Sequence, residues 1–246
     1  MNAKPAAASV MEFITEEMHD CFRTSRLEFV RIDDNKDQIK AFIQKNETPD
    51  VQALASLSMP MPYGKADADR VATLMTKALL GAAIFLRPDE AAKHVVVDDD
   101  GGKEVKAQGS QQQTTGGGGG GIMIGTICLG WGGVTPQLFT NRSASLGIAI
   151  ARRYQNRGYG REAIDWMLDW AFRHGGLHTV RISALSYNDR AVHLYEKMGF
   201  VLEGRLRDSK RFNRKWYDEV LFSMKEGEWA QLRGIATEPD DDDGLV

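Results

Sequence analysis

Cysteine is scarce in this sequence, and its scarcity limits the kinds of protein that the chain can be. The chain of 246 residues has only two cysteines, Cys21 and Cys128, and neither has the Cys or His neighbours at short spacing that a zinc site uses. The histidines His174, His178 and His193 also lack ligand-like neighbours. We therefore expect neither a disulfide framework nor a bound metal.

Long apolar runs are missing as well. The longest apolar stretches, such as 79–86, fall far short of the roughly 20 residues that a membrane-spanning helix requires. The first residues also lack the basic-then-apolar pattern of a secretory signal. We expect a protein of the cytoplasm that does not enter the membrane, although nothing in the sequence separates the cytoplasm from the nucleus.

Acidic residues are concentrated in three segments, so the net charge of −3 conceals a basic remainder. Residues 1–20, 98–121 and 236–246 carry −3, −2 and −5, which leaves the rest of the chain at +7. A mildly basic body with acidic segments suits a small polyanionic ligand better than a length of nucleic acid. We therefore expect no nucleic-acid partner.

Three segments have too few apolar residues to form a packed core. Residues 98–121 include three consecutive glutamines and six consecutive glycines, and we expect this insertion to be disordered and without a function of its own. We assign 1–21 to a flexible N-terminal segment, in which 10–18 are compatible with a short helix, and 233–246 to an acidic disordered tail. The remaining residues, 22–232, are expected to form a single folded domain.

Hydrophobic periodicity in this domain alternates between strands and helices. The spacing predicts strands at 26–32, 82–86, 122–129, 145–152 and 178–186, and helices at 34–44, 69–77, 160–173 and 189–198. Residues 82–86 and 122–129 are interpreted as a hairpin whose turn the insertion expands, and 200–224 as a terminal hairpin that turns at 213–215. This order of elements predicts an α/β (α+β) fold with helices on the faces of a sheet.

A glycine-rich turn lies where a predicted strand gives way to a helix. Residues 155–160 read Gln-Asn-Arg-Gly-Tyr-Gly. Small residues at this place let backbone N–H groups converge on an anion at the helix N-terminus, and a pyrophosphate is the natural occupant. The turn lacks the Gly-Lys-Ser/Thr of a nucleoside-triphosphate loop and the third glycine of the dinucleotide fingerprint, so neither kind of site is expected.

A second motif follows at 188–200, which read Asn-Asp-Arg-Ala-Val-His-Leu-Tyr-Glu-Lys-Met-Gly-Phe. Asn188 and Tyr195 are seven residues apart, so at about 100° per residue they lie on nearly the same face of one helix. Each taken separately is explained by structure alone, Asn188 as a helix cap and Tyr195 as a core aromatic. At this spacing and after this glycine turn, they predict a shared site.

Together the two motifs resemble the GNAT superfamily of acyl-CoA-dependent N-acyltransferases. Residues 155–160 match its Arg/Gln-x-x-Gly-x-Gly/Ala turn, and 188–200 are similar to its Asn-x-x-Ala-x-x-Leu-Tyr-x-x-x-Gly-Phe segment. Residues 26–31 and 200–229 resemble the Rim-type branch, whose members acetylate protein N-termini or small amines. The resemblance covers most of the chain outside the tails and the insertion.

This resemblance implies a mixed central sheet of about six to seven strands, with helices on both faces and strands that splay at the acyl-CoA site. It implies acetyl-CoA as cosubstrate, no metal, and direct attack by a primary amine in a ternary complex. Tyr195 would be the catalytic acid beside the thioester sulfur. The groups that bind acetyl-CoA would come from Ile148, Ile150, Gln155, Asn156, Arg157, Gly158, Tyr159, Gly160, Arg161 and Asn188.

No general base is identified in the sequence. Many members of the superfamily place a Glu on the strand before the glycine turn, but residues 143–150 read Ser-Ala-Ser-Leu-Gly-Ile-Ala-Ile. A water held by Ser145, or a carboxylate from elsewhere such as Glu203, would be the alternatives. Because the carboxylate is missing, a non-catalytic acyl-CoA-binding or sensing module is a second hypothesis. The acceptor amine, the acyl chain length and the oligomeric state stay open, with a homodimer considered.

Overall fold

The computed structural model describes residues 10–32, 36–46, 48–56, 60–94, 96–97, 104–105, 121–131, 133 and 140–235. Within these residues the strands are β1 Leu27–Arg31, β2 Leu80–Leu86, β3 Val96–Val97, β4 Glu104–Val105, β5 Met123–Leu129, β6 Ser143–Ile150, β7 Thr179–Leu185, β8 Val201–Phe212 and β9 Lys215–Lys225. The α-helices are α1 Val10–His19, α2 Lys36–Asn46, α3 Pro49–Ala55, α4 Lys65–Thr76, α5 Pro88–Ala91, α6 Tyr159–Arg173, α7 Asp189–Lys197 and α8 Glu226–Arg233. None of these helices is long and apolar enough to cross a membrane.

Seven strands form one mixed sheet in the order β1-β2-β5-β6-β7-β9-β8, while β3 and β4 pair separately. Neighbours in the large sheet are antiparallel except β6 and β7, which are parallel. A parallel pair needs a long crossover, and α6 provides it between these two strands. The predicted mixed sheet of six to seven strands is confirmed.

Strand β2 shows why helices cover both faces of this sheet. Successive side chains of a strand point to opposite faces, and every residue of β2 from Gly81 to Leu86 is buried. Ala82, Ile84 and Leu86 pack into the core that contains α6, whereas Ala83 and Phe85 pack into a second core with α2 and α4. The helices predicted on the two faces are therefore present.

The predicted hairpin with an expanded turn is confirmed in the pairing of β2 with β5. The two strands are closed at their ends by a hydrogen bond from the Leu86 N–H to the Ile122 carbonyl, 2.9 Å long. Of the insertion predicted at 98–121, residues 104–105 form β4, and 98–103 and 106–120 lie outside the described residues.

The two chain ends are described only in part. Helix α1 occupies the place where the sequence is compatible with a short helix, and residues 1–9 before it lie outside the described residues. At the other end α8 reaches Arg233 and stops at Gly234, whose φ of 64° is a left-handed conformation that favours glycine. Helix α8 thus ends next to the predicted boundary at 232, and 236–246 lie outside the described residues.

The terminal hairpin of β8 and β9 has a shorter turn than the sequence predicts. Asn213 and Arg214 alone form it, with φ values of 46° and 65°, because Lys215 already pairs with Phe212. Positive φ at both central residues gives a two-residue turn the twist that suits adjacent strands. In the sheet, β9 lies between β7 and β8, and β8 is therefore at the edge.

Candidate active site

The parallel strands β6 and β7 separate after a short stretch of pairing. They are paired only from Ser143 with Thr179 to Ser145 with Arg181, although β6 continues to Ile150 and β7 to Leu185. A cavity of about 600 Å³ occupies the gap and is lined by the unpaired parts of both strands. The splay that the resemblance implied is therefore present, between the two predicted strands that flank the glycine turn and its helix.

The backbone of β6 presents alternate groups to this cavity. The Ser145 carbonyl accepts a hydrogen bond from Gly130 and the Ala151 N–H donates to Ile124, both 2.8 Å long, so the odd-numbered residues bond to β5. Alternation along a strand then directs the backbone groups of Ile148 and Ile150 toward the opened side. The Ile150 carbonyl already has a partner, because Nε2 of Gln155 donates a hydrogen bond to it at 2.9 Å.

The glycine turn delivers the chain from β6 into α6. Asn156 and Gly158 adopt positive φ values of 61° and 84°, and Gly158 is the residue that caps the helix. The cap is left-handed and makes no side-chain hydrogen bond, so the first amide N–H groups of α6 are not blocked by a capping side chain. Together with the helix dipole they form an anion-binding end beside the cavity.

The seven predicted residues of the turn, 155–161, divide into five that line the cavity and two that do not. Gln155, Asn156, Gly158, Gly160 and Arg161 line the cavity. Arg157 and Tyr159 do not line it, so any contribution from them comes from the backbone. A methyl group at Gly158 would lie 3.2 Å from Nη2 of Arg26, whereas one at Gly160 would meet nothing within 4 Å.

The side chains of Arg157 and Tyr159 instead join a polar network behind the turn. Nη1 of Arg157 lies 3.3 Å from Nδ1 of His94, and Nε2 of His94 lies 2.7 Å from the Tyr159 hydroxyl. That hydroxyl donates to Oε1 of Glu90 at 2.6 Å, so it accepts from a His94 that carries its proton on Nε2. Burial raises the pKa of Tyr159 to about 12, and the hydrogen bond to Glu90 adds to the rise.

A second group of contacts fixes the turn to the start of β1. Nη1 of Arg26 donates to the Arg157 carbonyl at 3.0 Å, and Nε of Arg26 donates to Oε2 of Glu162 at 2.6 Å. Oε1 of Glu162 accepts from Thr24 Oγ1 at 2.6 Å and from the Arg26 N–H at 2.9 Å. Sequence reasoning missed Arg26 because only tertiary structure brings it to the turn.

Asn188 caps a helix, as the sequence offered for it, and also bonds to a second helix. Its Oδ1 accepts from the Ala191 N–H at 3.3 Å, which caps α7, and its Nδ2 donates to the Leu54 carbonyl in α3 at 3.2 Å. The residue also lines the cavity. Asn188 therefore joins α7, α3 and the cavity wall.

Tyr195 lines the same cavity from the next turns of α7. Its side chain is 7% exposed and packs against Phe200 and Phe222, with ring centroids 5.9 Å away in each case. Burial raises the pKa of Tyr195 to about 12, so the phenol keeps its proton at neutral pH. Among the residues that the structure describes, none forms a hydrogen bond with its hydroxyl.

Three further features of the cavity were not found from the sequence. Helix α3, in a segment for which the sequence predicted no helix or strand, contributes Val51, Leu54 and Ala55 to the lining. Arg190 lines it too, and its guanidinium donates to Oδ1 of Asn156 at 3.1 Å. The third feature is Glu219 on β9. No pattern in the sequence distinguishes Glu219 from other charged residues on the terminal hairpin.

The two base candidates named from the sequence are not in the cavity. Ser145 is exposed on β6 and is absent from the lining. Glu203 is also absent from the lining and accepts a hydrogen bond from Ser223 Oγ. Within the described ranges, no cluster of three or more His, Cys, Asp or Glu residues is arranged to hold a metal ion.

A mixed sheet that splays beside a glycine turn, with a buried tyrosine on α7, is the arrangement that the resemblance to the acyl-CoA N-acyltransferases implied. Residues 104–200 match the family described as Acetyltransferase (GNAT) family. The resemblance to this superfamily and to its Rim-type branch is confirmed.

Named relatives are similar over part of their length. The spermidine N(1)-acetyltransferase of Vibrio cholerae is 38% identical over 80 residues, which are 32% of this chain and 46% of that protein. The [Ribosomal protein uS5]-alanine N-acetyltransferase of Escherichia coli is 26% identical over 88 residues, 36% of this chain and 45% of that protein. The matched part of the chain thus spans just under half the length of each of these curated relatives.

A solved structure shows the same fold over a larger share of the chain. The spermidine N-acetyltransferase of Vibrio cholerae, crystallised in complex with CoA and spermine, aligns with a TM-score of 0.59 and 18% identity. The alignment covers 84% of this chain and 99% of that one. At this identity the likeness establishes the fold.

Proposed function

We propose that this protein is an acetyl-CoA-dependent N-acetyltransferase that transfers an acetyl group to a primary amine by direct attack in a ternary complex. The observation that carries the proposal is the cavity of about 600 Å³, which joins the glycine turn, the separated strands β6 and β7, and Tyr195. An anion-binding helix end, unpaired strand backbone and a protonated phenol are the groups that a thioester with a pyrophosphate needs.

The donor would be bound along the cavity from the turn toward Tyr195. The first amides of α6 would bind the pyrophosphate, where Gly160 has no side chain and Arg161 and Arg190 add positive charge. The pantetheine arm would bind to the backbone of Ile148 and to the Ile150 N–H, since Gln155 already bonds the Ile150 carbonyl. The fit of an anionic, extended ligand to these groups supports acetyl-CoA as the cosubstrate.

Asn188 would contact the pantetheine from the end of α7, as the resemblance implied. Of the other predicted binding residues, Gln155 and Asn156 line the cavity, whereas Arg157 and Tyr159 would contribute backbone groups only. The side chains of Arg157 and Tyr159 support the turn from behind instead.

The chemistry follows from the protonation state of Tyr195. The amine nitrogen forms a bond to the thioester carbonyl carbon, and the bond from that carbon to sulfur breaks. One proton of the nitrogen is released and finally replaces the proton that Tyr195 gives up. Tyr195 donates its phenolic proton to the departing sulfur, and its raised pKa of about 12 keeps that proton in place at neutral pH until charge develops. General acid catalysis of this kind typically contributes about 10²-fold to 10⁴-fold in rate.

The relatives suggest which acceptors to try. The names of the two curated relatives specify spermidine and the alanine of a ribosomal protein, and both acceptors are amines. Spermidine and a peptide that begins with alanine are therefore suitable probes. With acetyl-CoA as donor, the cytoplasm is the expected compartment, and a homodimer and the lack of a nucleic-acid partner stay predictions.

Two measurements test the proposal. Thermal unfolding should shift upward with acetyl-CoA and with CoA but little with ATP. Ligand at about 100 times its Kd stabilises by about 2.7 kcal/mol, which corresponds to roughly 5 to 10 °C for a domain of this size. Acetyl transfer to spermidine and to the alanine peptide is then followed by mass spectrometry.

The outcomes separate the enzyme from the binding module. A shift with both CoA species, together with steady turnover of either probe, supports the enzyme. A shift without transfer to any amine would favour the acyl-CoA-binding module that the sequence left open. No shift at saturating ligand would mean that the glycine turn is purely structural.

A further inference from the structure

Strand β9 has a buried face and a cavity face, and Glu219 is on the second. Val220, Phe222 and Met224 belong to the main core, and Phe222 packs against Tyr195. Because successive side chains alternate, Glu219 points to the opposite face of the sheet. It lies directly across from Leu185 at the end of β7, next to the place where β7 has separated from β6.

Helix α3 covers that opposite face. Three contacts hold it there: the Tyr187 hydroxyl donates to the Ala53 carbonyl, Asn188 donates to the Leu54 carbonyl, and Nζ of Lys210 donates to the Ser56 carbonyl at 3.0 Å. Glu219 therefore lines the same cavity as α3, from the face of the sheet opposite to Val220 and Phe222. Tyr195 approaches from the other face, so the two side chains reach the cavity from opposite sides of the sheet.

The charges that line the cavity are divided by sign. Arg161 and Arg190 lie at the end formed by the glycine turn, where Arg190 also bonds Asn156. Glu219 is the only carboxylate among the described lining residues, and no described Lys or Arg forms an ion pair with it. The lining thus offers basic groups at the glycine turn that suit phosphate and one carboxylate on β9 that suits a cation.

The neighbouring carboxylates on the hairpin are engaged elsewhere. Oδ2 of Asp218 lies 3.4 Å from Nε of Arg205, and Oδ1 of Asp218 accepts from the Asp208 N–H at 3.2 Å. Glu203 accepts from Ser223 Oγ. Neither carboxylate lines the cavity, which leaves Glu219 as the acid placed to meet a ligand.

We propose that Glu219 is the general base of the reaction: it binds the ammonium group of the acceptor and removes its proton. This inference rests on the proposed function. The proton moves from the ammonium nitrogen to the Glu219 carboxylate, and the freed lone pair forms the bond to the thioester carbonyl carbon. As the bond to sulfur breaks, the proton of Tyr195 passes to the sulfur. The second proton of the nitrogen then passes through water to the Tyr195 phenolate, and Glu219 releases its proton to water, so that both residues are restored.

The geometry gives each reactant its own side of the sheet. The thioester lies in the gap between β6 and β7, beside Tyr195, and the amine reaches it from beneath α3, past Glu219. A base and an acid on opposite sides of the carbonyl carbon allow the proton to arrive at the sulfur while another leaves the nitrogen. The carboxylate that β6 lacks is thereby replaced from β9.

The test compares Glu219→Gln, Glu219→Asp and Glu203→Gln in the full chain. Glu203→Gln makes the same change of charge on the adjacent strand, outside the cavity. For each protein, kcat and KM are measured across pH with spermidine and with the alanine peptide, and the CoA-induced shift in Tm is recorded. The other titratable or charged groups that face the cavity are Tyr154, Arg161, Arg190 and Tyr195, and Lys210 approaches it at Ser56.

The expected result is a fall in kcat/KM of about 10²-fold or more for Glu219→Gln, with an unchanged CoA-induced shift. Its activity should rise by about tenfold per pH unit toward the pKa of the acceptor, because only the fraction already deprotonated reacts. Glu219→Asp should keep part of the activity, and Glu203→Gln should match the wild type.

Several outcomes would overturn the proposal. These are a Glu219→Gln variant with wild-type kcat/KM, a rise in KM alone, or a loss with the same pH profile as the wild type. If Glu219→Gln does not fold, the pH dependence of kcat/KM in Glu219→Asp tests the proposal instead. Absence of transfer by the wild type would refute the proposed function itself. The role of Glu219 is tested separately, by comparing the variants with an active wild type.

Discussion

Arg26 and Glu162 form an ion pair, with Nε and Oε2 2.6 Å apart, between residues 136 positions apart in the chain. It joins the start of β1 to the first turn of α6. The same arginine donates to the Arg157 carbonyl, so the glycine turn is fixed at two points. The candidate phosphate site therefore depends on a segment that makes no contact with the cavity.

Glu162→Gln should destabilise the protein at neutral pH. Burial alone would raise the pKa of Glu162, but hydrogen bonds from Thr24 and Arg26 outweigh it, and the pKa lies below its usual value. A carboxylate whose pKa is lowered in the folded state stabilises the protein at a pH above its pKa in the unfolded state, about 4.3. This stabilisation is lost as the pH falls further. Loss of the charge-assisted bonds should cost about 1 to 3 kcal/mol.

Urea unfolding of Glu162→Gln across pH measures this effect. The difference in the free energy of unfolding between the variant and the wild type should be largest at neutral pH and should shrink in acid. Asp165→Asn is the matched control on the same helix, because its half-exposed carboxylate pairs with Arg233 and should contribute less than about 1 kcal/mol. Equal losses in the two variants would contradict a special role for Glu162.

Tyr195→Phe should lower turnover much more than it lowers CoA binding. The phenyl ring keeps the packing against Phe200 and Phe222, and only the proton donor is removed. We expect kcat to fall by about 10²-fold or more with spermidine or the alanine peptide, while the CoA-induced shift in Tm is retained. Unchanged kcat would remove Tyr195 from the acid role.

The substitutions Gly158→Ala and Gly160→Ala should have different effects on Tm. Gly158 has a φ of 84°, where an L-residue costs roughly 1 to 2 kcal/mol, so Gly158→Ala should lower Tm. Gly160 is helical with open space around it, so Gly160→Ala should keep or raise Tm. The added methyl group would still narrow the phosphate end of the cavity and should reduce the CoA-induced shift.

The measurement is thermal unfolding of both variants with and without CoA. A full CoA-induced shift in Gly160→Ala would show that the ligand does not approach this residue. A wild-type Tm for Gly158→Ala would show that the turn adapts to a side chain.

Alkaline pH should destabilise the protein partly through Tyr195 and Tyr159. Burial raises the pKa of each to about 12, so the folded state favours the neutral phenols. The stability that they contribute is fully present below the pKa of about 10 that tyrosine has in the unfolded state. It is lost as the pH rises to about 12. Ultraviolet absorbance of tyrosinate should show two late-ionising groups, and Tyr195→Phe should remove one of them. A titration curve with an unchanged late phase in that variant would contradict the assignment.

Local pattern was enough to predict the elements that carry the acyl-CoA motifs. The alternation at 145–152 and the apolar stripe after Gly158 are properties of single segments, so β6 and α6 were found where the structure has them. The spacing of Asn188 and Tyr195 predicted a shared wall because both lie on one helix.

The parts that were missed depend on contacts between distant segments. Helix α3 has only seven residues, too few for a clear helical period, and its position is fixed by Tyr187, Asn188 and Lys210. Glu219 is one acid among many charges on a hairpin until the fold places it in the wall of the cavity. Arg26 had no local sign of its role, since its partners follow more than 130 positions later.

The separation of β6 and β7 also bears on how this protein avoids aggregation. Unpaired strand edges ordinarily invite another chain to add to the sheet, which is the first step toward fibres and misassembly. Here the two open edges lie inside the sheet and not at its rim, and residues of α3 and α7 line the gap between them. A slender ligand without side chains can enter. The protein thus keeps reactive backbone ready for recognition without exposing it to its neighbours in a crowded solution.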